Sequence, residues 1–353
     1  MRTFSIGDTG RKIGDGQPTF IIAEIGINHQ GDVTIARRLI KSAKECGADA
    51  VKFQKRKIAR ILTREGLDMP YENPNSFGKT YGEHKHALEL SDGDYRDLME
   101  YAAELDVIFC ASGWDEESVD FIDELGVPFF KMASADLTNF PLLEHAARKG
   151  KPMLLSTGMA DLSTVRRAYE HTVRFNGQVA LLQCTSTYPC DFAEVHLNVL
   201  KTYAREFPDA VLGYSGHEAG IAMPPVAVAL GAKIIERHFT LDRTWKGGDH
   251  AASLEPTGLR KMVRDIRHVE EAMGDGEKRI QESEIPVFKK LAKSIVSSVD
   301  IAKGQKISRD MLTTKGPGSG ISPMEMERVE GTTALKDIPR DTVLAEEDIQ
   351  WRE

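Results

Sequence analysis

The sequence contains few cysteines and no long apolar stretch. Its four cysteines, Cys46, Cys110, Cys184 and Cys190, show no CxxC spacing, a pattern that favours buried reduced thiols in a cytoplasmic protein. The longest apolar runs are far too short to cross a bilayer. The first residues, MRTFSIGDTGRKIGDG, are polar and glycine-rich and lack the apolar core of a signal peptide. We therefore expect a cytoplasmic protein that has no membrane partner.

The chain also has no excess of positive charge. It carries 46 Lys and Arg residues against 54 Asp and Glu residues, which gives a formal net charge of -8 at pH 7. This balance argues against nucleic acid as a partner, so an anionic substrate would have to be held by a local cluster of cations. The hydrophobic share of 41% and the charged share of 28% are those of an ordinary globular protein.

The length of 353 residues allows a barrel of roughly 250 residues and a small second domain. Turn signals in residues 1–18 predict a β-hairpin that covers the bottom of the barrel. From residue 19 to residue 275, eight short apolar strands alternate with amphipathic helices, which fits a (β/α)8 TIM barrel better than an open doubly wound sheet. The predicted strands are 19–26, 50–54, 107–112, 129–134, 152–157, 179–186, 210–215 and 233–239.

The remainder of the chain is predicted to be a linker and a small domain. Residues 276–291 are charged and poorly periodic, as a linker would be. Residues 292–353 contain an internal repeat, DIAKGQKISRDML at 300–312 and DIPRDTVLAEEDI at 337–349. The repeat predicts a compact β-rich unit with pseudo-symmetry, too small for a large core and therefore expected to dock on a barrel.

Two histidines fall at the ends of neighbouring predicted strands. His217 follows the strand that begins near residue 210, and His238 ends the next strand. The C-terminal ends of consecutive parallel strands lie on the same side of a sheet, so the two imidazoles are predicted to meet there. Asp249 follows one short loop later. This pattern indicates a metal site, and the alternative is a pair of ordinary surface histidines in loops.

Two lysines lie near the ends of predicted inward-facing strands. Lys52 and Lys131 would be costly in a barrel mouth unless an anion pairs with them. With hydroxyl groups at other strand ends they would suit a small ligand that carries a phosphate and a carboxylate. The alternative is that both lysines neutralise structural carboxylates or extend to solvent. The strand-end hydroxyls are those of Ser112, Ser134, Ser156, Ser186 and Ser215.

Nine ordered blocks resemble the sialic acid synthase family, and the branch of animal N-acetylneuraminate-9-phosphate synthases most of all. They include FIIAEIGINHQGD at 20–32, GADAVKFQK at 47–55, VPFFKMAS at 127–134, GYSGHEAGIA at 213–222 and KGGDHAASLEP at 246–256. The C-terminal residues resemble the antifreeze-like (SAF) domain that members of this family carry. The resemblance extends over nearly the whole chain.

The resemblance implies a condensation of phosphoenolpyruvate with N-acetylmannosamine 6-phosphate, or a related N-acylmannosamine, to give N-acetylneuraminate 9-phosphate and phosphate. The alternative within the family is a synthase of N-acetylneuraminate or another nonulosonate that uses the free sugar. A divalent ion on His217 and His238, with Mn2+ favoured over Mg2+ or Co2+, would activate the aldehyde as a Lewis acid. Lys52 and Lys131 would hold the charge of phosphoenolpyruvate.

The remaining site residues have more general expected roles. Glu24, Asp136 and Asp249 are candidates for proton transfer and for orienting water or sugar hydroxyls, with acid and base unassigned. Gln54 and the five serines are expected to bind substrate. The family blocks also imply that Tyr188 and Asn139 contact the sugar.

A long insertion, residues 56–91, should lie over the catalytic face. Its Lys79 and Lys85 are predicted to bind the sugar 6-phosphate, unless they are ordinary solvated loop charges. The free-sugar bacterial enzymes of the family carry an arginine after a lysine in the small domain, just before a Pro-Gly pair. Here Gly316 follows Lys315, which also favours the phosphorylated sugar.

Two other classes of function stay open at this point. A Schiff-base aldolase could use Lys52 or Lys131 as its nucleophile. A carbohydrate-binding or ice-binding protein is suggested by the C-terminal resemblance alone. In either branch of the synthase family we expect a domain-swapped homodimer, in which the small domain covers the barrel of the partner chain.

Overall fold

The computed structural model describes residues 2–351, and the chain divides into two units between Gly274 and Asp275. Each unit has a hydrophobic core of its own. Within the described residues, no helix combines the length and the apolar character that a bilayer crossing requires.

The first unit begins with the predicted hairpin. Strands β1 (Thr3–Ser5) and β2 (Lys12–Gly14) pair antiparallel, with Phe4 opposite Ile13. Both side chains are buried in a cluster with apolar residues from inside the barrel, among them Phe129 and Leu154. The hairpin thus closes the N-terminal end of the barrel with apolar side chains, which removes their surface from water.

The predicted (β/α)8 barrel is confirmed by a parallel sheet of eight strands. The strands are β3 (Phe20–Gly26), β4 (Ala50–Lys55), β5 (Ile108–Gly113), β6 (Phe130–Met132), β7 (Met153–Ser156), β8 (Val179–Cys184), β9 (Val211–Gly216) and β10 (Ile234–His238). Their hydrogen-bonded order is β5-β4-β3-β10-β9-β8-β7-β6. The two end strands β5 and β6 lie side by side and complete the ring.

Helices cover the outside of the barrel, and three short ones lie in the long insertion after β4. They are α1 (Val33–Glu45), α2 (Ile58–Ile61), α3 (Arg64–Asp68), α4 (Tyr81–Ala87), α5 (Asp92–Glu104), α6 (Glu116–Leu125), α7 (Phe140–Ala147), α8 (Leu162–Val173), α9 (Val199–Glu206), α10 (Met223–Ala229) and α11 (Pro256–Ala272). In α1 the buried residues Ala36, Leu39, Ile40 and Ala43 follow helical spacing. Asp32 caps its first turn by accepting from the backbone N–H of Thr34 at 2.6 Å.

The insertion between β4 and α5 is folded rather than loose. It contains the three short helices α2, α3 and α4. Helix α4 starts with a capping box, in which Thr80 accepts from the backbone of Glu83 at 3.2 Å and Glu83 accepts from the backbone of Thr80. This cap fixes the start of the helix that carries Lys85.

The second unit shows the predicted internal symmetry. It consists of α12 (Ile285–Leu291), β11 (Ser294–Ser297), β12 (Leu312–Lys315), α13 (Met326–Val329), β13 (Thr333–Ala334) and β14 (Ile349–Gln350). Ile301 and Ile338, equivalent positions in the two repeats, exchange both backbone hydrogen bonds at 2.8 Å. Asp300 accepts from the backbone of Arg340, and Asp337 accepts from the backbone of Lys303, each at 2.7 Å. Equivalent residues of the two repeats therefore make reciprocal bonds.

The segment predicted as a linker, residues 276–291, is in part helical. A 3-10 turn at Glu282–Glu284 leads into α12, which has a proline in its first turn. A proline is tolerated there because the first backbone N–H groups of a helix have no partner within the helix. The helix was missed because the preceding residues, GDGEKRIQESE, are charged and without an apolar period.

Candidate active site

The polar residues of the barrel meet at the C-terminal ends of the strands, around a cavity of about 300 Å3. Alternate residues of a strand face the same side, so Lys52 and Gln54 of β4 and Glu236 and His238 of β10 point inward together. All eight strands contribute to this end of the barrel. The predicted site residues that line the cavity are Glu24, Lys52, Gln54, Lys85, Ser112, Lys131, Ser134, Ser156, Ser186, Tyr188, Ser215, His217, His238 and Asp249.

Four buried charged side chains form a chain of ion pairs across the cavity floor. Lys52 Nζ lies 2.7 Å from Glu24 Oε2 and 4.0 Å from Glu236 Oε2. Lys131 Nζ lies 3.4 Å from Glu236 Oε1. All four residues are buried. Two lysines balanced by two carboxylates make the floor neutral overall, which a buried set of charges requires.

The pKa values of the two carboxylates are moved in opposite directions. Burial raises the pKa of Glu24 despite the opposing effect of Lys52. Burial also acts to raise the pKa of Glu236, but Lys131 and Lys52 outweigh it and lower that pKa to about 2. Glu24 is therefore the carboxyl group better suited to carry a proton, and Glu236 the one that stays ionised.

The two lysines also differ. Burial acts to lower the pKa of Lys52, but Glu236 and Glu24 more than compensate and raise it. For Lys131 burial prevails over the attraction of Glu236, and its pKa is lowered. Lys52 is thus held as a cation by two carboxylates, whereas Lys131 is the cation that has most to gain from a bound anion.

Hydroxyl groups complete the wall around Lys131. Ser134 Oγ accepts from the backbone N–H of Gly158 at 3.0 Å, and Ser156 Oγ is buried without a hydrogen-bond partner in the protein. A side chain on Gly158 would overlap Ser186 Oγ, and its Cβ would come within 2.9 Å of Ser134 Oγ. These hydroxyls and the lysine have the chemistry to bind an anion, and a side chain at position 158 would crowd two of the hydroxyls.

The two predicted metal-binding histidines do come together. The ring centroids of His217 and His238 are 5.3 Å apart. His217 Nδ1 contacts the carbonyl of Thr185 at 2.8 Å. If that nitrogen donates its proton to the carbonyl, Nε2 is left free to bind a ligand. His238 Nδ1 is buried without a hydrogen-bond partner and lies 3.6 Å from Asp249 Oδ2.

These residues fit a divalent ion with an incomplete set of protein ligands. Burial lowers the pKa of His238 to about 3, so its imidazole is neutral, as a metal ligand must be. Burial also acts to lower the pKa of His217, but the contact with Cys184 outweighs it and raises that pKa. His217 would therefore bind an ion only after release of its second ring proton. Within residues 2–351, no group of three or more His, Cys, Asp or Glu side chains has the arrangement of a metal site. The histidine pair would therefore leave coordination positions to water and substrate, unlike a closed structural zinc site.

Comparisons with known proteins identify the family. A sequence profile of the NeuB family matches residues 39–278, and one of the SAF domain matches residues 292–350. The N-acetylneuraminate-9-phosphate synthase of Mus musculus is 47% identical over 342 residues, which are 97% of this chain and 95% of the relative. The Homo sapiens enzyme of the same name is 48% identical over 339 residues, 96% and 94% of the two chains.

The chain belongs to the NeuB family. Its fold agrees with this assignment. The crystal structure of N-acetylneuraminic acid (sialic acid) synthetase from Leptospira borgpetersenii, determined with citrate, is similar with a TM-score of 0.71 and 33% sequence identity. The similarity covers 81% of this chain and 94% of that one. The predicted antifreeze-like (SAF) domain is confirmed as well.

In this NeuB-family chain, Lys85 stands at the edge of the cavity as a partly buried cation. No carboxylate within the described residues forms a salt bridge with Lys85. Its Nζ lies 5.0 Å from the ring centre of Tyr81. Burial, and then the charge of Arg56, lower the pKa of Lys85 to about 8, and Asp249 offsets part of this effect. Such a group would be stabilised as a cation by an anionic ligand.

Three predicted site residues lie outside the cavity of this NeuB-family chain. Lys79 is exposed, and its backbone N–H donates to Glu83 as part of the start of α4. Asn139 caps α7 by accepting from the backbone of Leu142 at 3.4 Å, and its amide donates to Asp136 at 3.1 Å. Asp136 is buried in a 3-10 turn, and burial raises its pKa. In this structure Asn139 and Asp136 bond to each other.

Several residues that line the cavity were absent from the predicted set, and those that carry a polar or ionisable group are Glu236, Cys184 and Trp114. Glu236 had a usable signal, because it lies two positions before His238 and therefore on the same face of β10. For Cys184 the sequence predicts only a buried reduced thiol. Its Sγ lies 3.5 Å from Ser134 Oγ and 3.9 Å from His217 Nδ1.

Proposed function

We propose that this protein condenses phosphoenolpyruvate with N-acetylmannosamine 6-phosphate to give N-acetylneuraminate 9-phosphate and inorganic phosphate. The observation that carries the proposal is one cavity that is lined both by Lys52 and Lys131 and by the paired imidazoles of His217 and His238. The names of the two mammalian relatives state the product of the reaction, N-acetylneuraminate 9-phosphate, and its phosphate corresponds to a 6-phosphate on the sugar substrate. A homologous barrel whose inward residues had lost this set would not support a catalytic role.

The anion site suits phosphoenolpyruvate. Lys131 and the hydroxyls of Ser134, Ser156 and Ser186 would hold the phosphate, and Lys52 with Ser112, 3.3 Å apart, would hold the carboxylate. Charge-assisted hydrogen bonds to ionised oxygens are roughly twice as strong as neutral ones. Because these groups are already positioned in the free protein, little reorganisation would accompany the reaction.

Besides the two substrates, the reaction consumes only water. Carbon 3 of phosphoenolpyruvate forms a bond to the aldehyde carbon, and the aldehyde oxygen gains a proton and becomes a hydroxyl. Water adds at carbon 2 and loses one proton, which balances the proton gained by the aldehyde oxygen. The new hydroxyl at carbon 2 then gives up its proton to the departing phosphate and becomes the ketone oxygen, while phosphate leaves with the electrons of the C–O bond. His217 and His238 would hold a divalent ion, for which Mn2+ is favoured, and the ion would supply Lewis acidity toward the aldehyde oxygen.

Carboxylates of the cavity would move the protons. Glu24, with its raised pKa, is the group that we assign to carry a proton, and its Oε1 accepts from Gln54 at 2.7 Å. Glu236 would remain ionised and keep both lysines charged. Asp249, beside His238, would orient the water or a sugar hydroxyl.

Lys85 is proposed to bind the 6-phosphate of the sugar. It stands at the cavity edge with a lowered pKa and no carboxylate partner among the described residues. Arg56 lies close enough to lower the pKa of Lys85 further. Arg56 forms an ion pair with Glu89 at 3.4 Å, so within the part of the chain that the structure describes Lys85 is the cation of the two that lacks a carboxylate partner. A positive charge so placed would attract a dianion more strongly than a neutral hydroxymethyl group.

We also propose a domain-swapped homodimer in a cytoplasmic, reducing compartment. Helix α12 exposes the apolar side chains of Ile285, Phe288 and Leu291, a set that favours burial against another protein surface. All four cysteines are unpaired, as a reducing compartment would leave them. A second chain that covers the barrel mouth would exclude water from the reaction.

The decisive test is phosphate release from phosphoenolpyruvate with a panel of aldoses, each with and without a 6-phosphate. We expect the highest kcat/KM for N-acetylmannosamine 6-phosphate, loss of activity with a chelator and recovery with Mn2+. A preference for the free sugar would overturn the assignment of the sugar. Turnover that is untouched by chelation would overturn the role of the ion.

A Schiff-base aldolase is the second candidate, because burial lowers the pKa of Lys131. Borohydride reduction in the presence of pyruvate separates the two reactions. A covalent adduct on Lys131 would favour the aldolase, and release of phosphate without any adduct favours the condensation.

A further inference from the structure

A fully buried arginine lies directly beside one of the two proposed metal ligands. Arg237 has a relative exposure of 0% and lies in β10 between Glu236 and His238. It does not line the cavity, although the residues on both sides of it do. Successive residues of a strand face opposite sides, so the guanidinium lies behind the histidine rather than beside the substrate. A charge in such a place requires a partner.

The partner is Glu218, the residue that follows the other histidine. Arg237 Nη1 donates to Glu218 Oε1 at 2.7 Å and to the carbonyl of Gly220 at 2.9 Å. Arg237 Nη2 donates to the carbonyl of Glu218 at 2.5 Å. The second carboxylate oxygen of Glu218 accepts from the hydroxyl of Tyr214 at 2.6 Å. The pair thus binds both the side chain and the backbone of the segment after His217.

The pair lies where the backbone ladder no longer joins the two strands. The pairing of β9 with β10 ends at Gly216 opposite Arg237. His238 is still held by its pairing with β3, opposite Glu24. His217 lies beyond the last strand residue and bonds toward the other side, to Thr185 and to the backbone of Cys190. Beyond the end of the β9–β10 pairing, the two histidine-bearing segments are joined, among the described residues, by the hydrogen bonds between Arg237 and Glu218.

We propose that the Glu218–Arg237 pair is a positioning device that sets the separation of His217 and His238 for one divalent cation. The inference rests on the metal site of the proposed function and adds the residues that hold its two ligands in place. A buried ion pair is weak evidence for stability, since apolar residues of the same volume often stabilise a protein as well. A pair that bonds to both ligand-bearing segments instead specifies one geometry, in the way that outer groups orient metal ligands.

The test uses Mn2+ alone and the full-length protein after removal of metal by a chelator. Binding is measured from the electron paramagnetic resonance signal of free Mn2+, and the metal-induced rise in Tm is measured by calorimetry. The variants are Glu218→Gln, Arg237→Met and Arg237→Lys. Arg267→Met is the matched control, because Arg267 forms an ion pair with Glu270 at the opposite end of the barrel, next to the start of β3.

We expect Glu218→Gln and Arg237→Met to raise the Kd for Mn2+ about 10- to 100-fold, the range known for groups that orient metal ligands. Their metal-induced rise in Tm should shrink, and Arg237→Lys should restore part of both. Arg267→Met should lower the Tm of the metal-free protein but keep the wild-type Kd. A merely structural pair would behave like this control.

Two results overturn the inference in different ways. An unchanged Kd in folded Glu218→Gln and Arg237→Met overturns the positioning role and leaves the metal site intact. A wild-type protein that binds no Mn2+, or binds it equally after His217→Ala, overturns the metal site and the inference with it. Loss of a buried charge can unfold a protein, so Tyr214→Phe provides a milder test. If Tyr214→Phe and Arg237→Lys both keep the wild-type Kd for Mn2+, that result also counts against the positioning role.

Discussion

Replacement of Lys85 by methionine should weaken the recognition of the phosphorylated sugar and leave that of phosphoenolpyruvate nearly unchanged. A charge-assisted hydrogen bond contributes about 1.5 to 3 kcal/mol, which corresponds to about 10- to 150-fold in kcat/KM. The charged form of Lys85 is already destabilised in the free protein, because burial and Arg56 lower its pKa to about 8. Methionine would relieve that repulsion, so we expect an effect near the lower limit, about tenfold.

The assay compares kcat/KM for N-acetylmannosamine 6-phosphate with kcat/KM for the free sugar. Lys79→Met is the matched control, because Lys79 is an exposed cation of the same insertion that does not line the cavity. The control should change either value less than about twofold, as exposed charges contribute little. A 6-phosphate preference that survives Lys85→Met, or that is lost in Lys79→Met instead, would refute the assignment of Lys85.

The titration of Lys85 should make KM for the 6-phosphate sugar depend on pH. Its pKa in the free protein is about 8, below the ordinary value, so Lys85 is charged below pH 8 and loses its proton above it. The second ionisation of a phosphate monoester occurs near pH ~6. KM for the 6-phosphate should therefore be lowest between about pH 6 and 8 and rise above pH 8, whereas KM for the free sugar should not. In Lys85→Arg the rise above pH 8 should disappear, and its persistence would count against Lys85 as the titrating group.

Three further predictions concern the metal, the anion site and the assembly. His217→Ala and His238→Ala should each reduce turnover by at least about a hundredfold and abolish the response to added Mn2+, and full activity in either variant would disprove the site. Gly158→Ala should raise KM for phosphoenolpyruvate more than about tenfold, because its methyl group would overlap Ser186 Oγ. This factor corresponds to the loss of roughly one charge-assisted hydrogen bond. An unchanged KM would show that the site adjusts to the methyl group. Light scattering should give a dimer that Phe288→Ser weakens, and a fully active monomer would refute the assembly.

The sequence determined the architecture because local patterns repeat through it. Short apolar strands and amphipathic helices alternate eight times, and the observed strands lie within a few residues of the predicted ones. The C-terminal repeat could also be predicted, since identical Asp-Ile pairs at 300 and 337 occupy equivalent turns. Helix α12 was missed because a helix of seven residues has too few turns for a visible period.

Much of the cavity lining could also be predicted from the positions of residues at the C-terminal ends of the strands. A residue near the C-terminal end of a barrel strand faces the site if it lies on the inward alternation, and Lys52, Gln54 and His238 satisfy this condition. Glu236 satisfies it too and could have been included from its spacing alone. Residues on loops follow no such rule. Lys79 and Lys85 are six positions apart in one insertion, yet Lys85 alone reaches the cavity, because the capped helix α4 turns it inward.

Only the tertiary structure decided how the charges act on each other. Glu24 and Glu236 are the same residue type on adjacent inward-facing strands, yet the pKa of one is raised and that of the other is lowered. The difference arises because Glu236 lies between two lysines, whereas Glu24 has one. The bond between Glu218 and Arg237 likewise joins residues 19 positions apart in sequence. Electrostatic energies depend on distances between residues that are remote in the chain, and folding alone sets those distances.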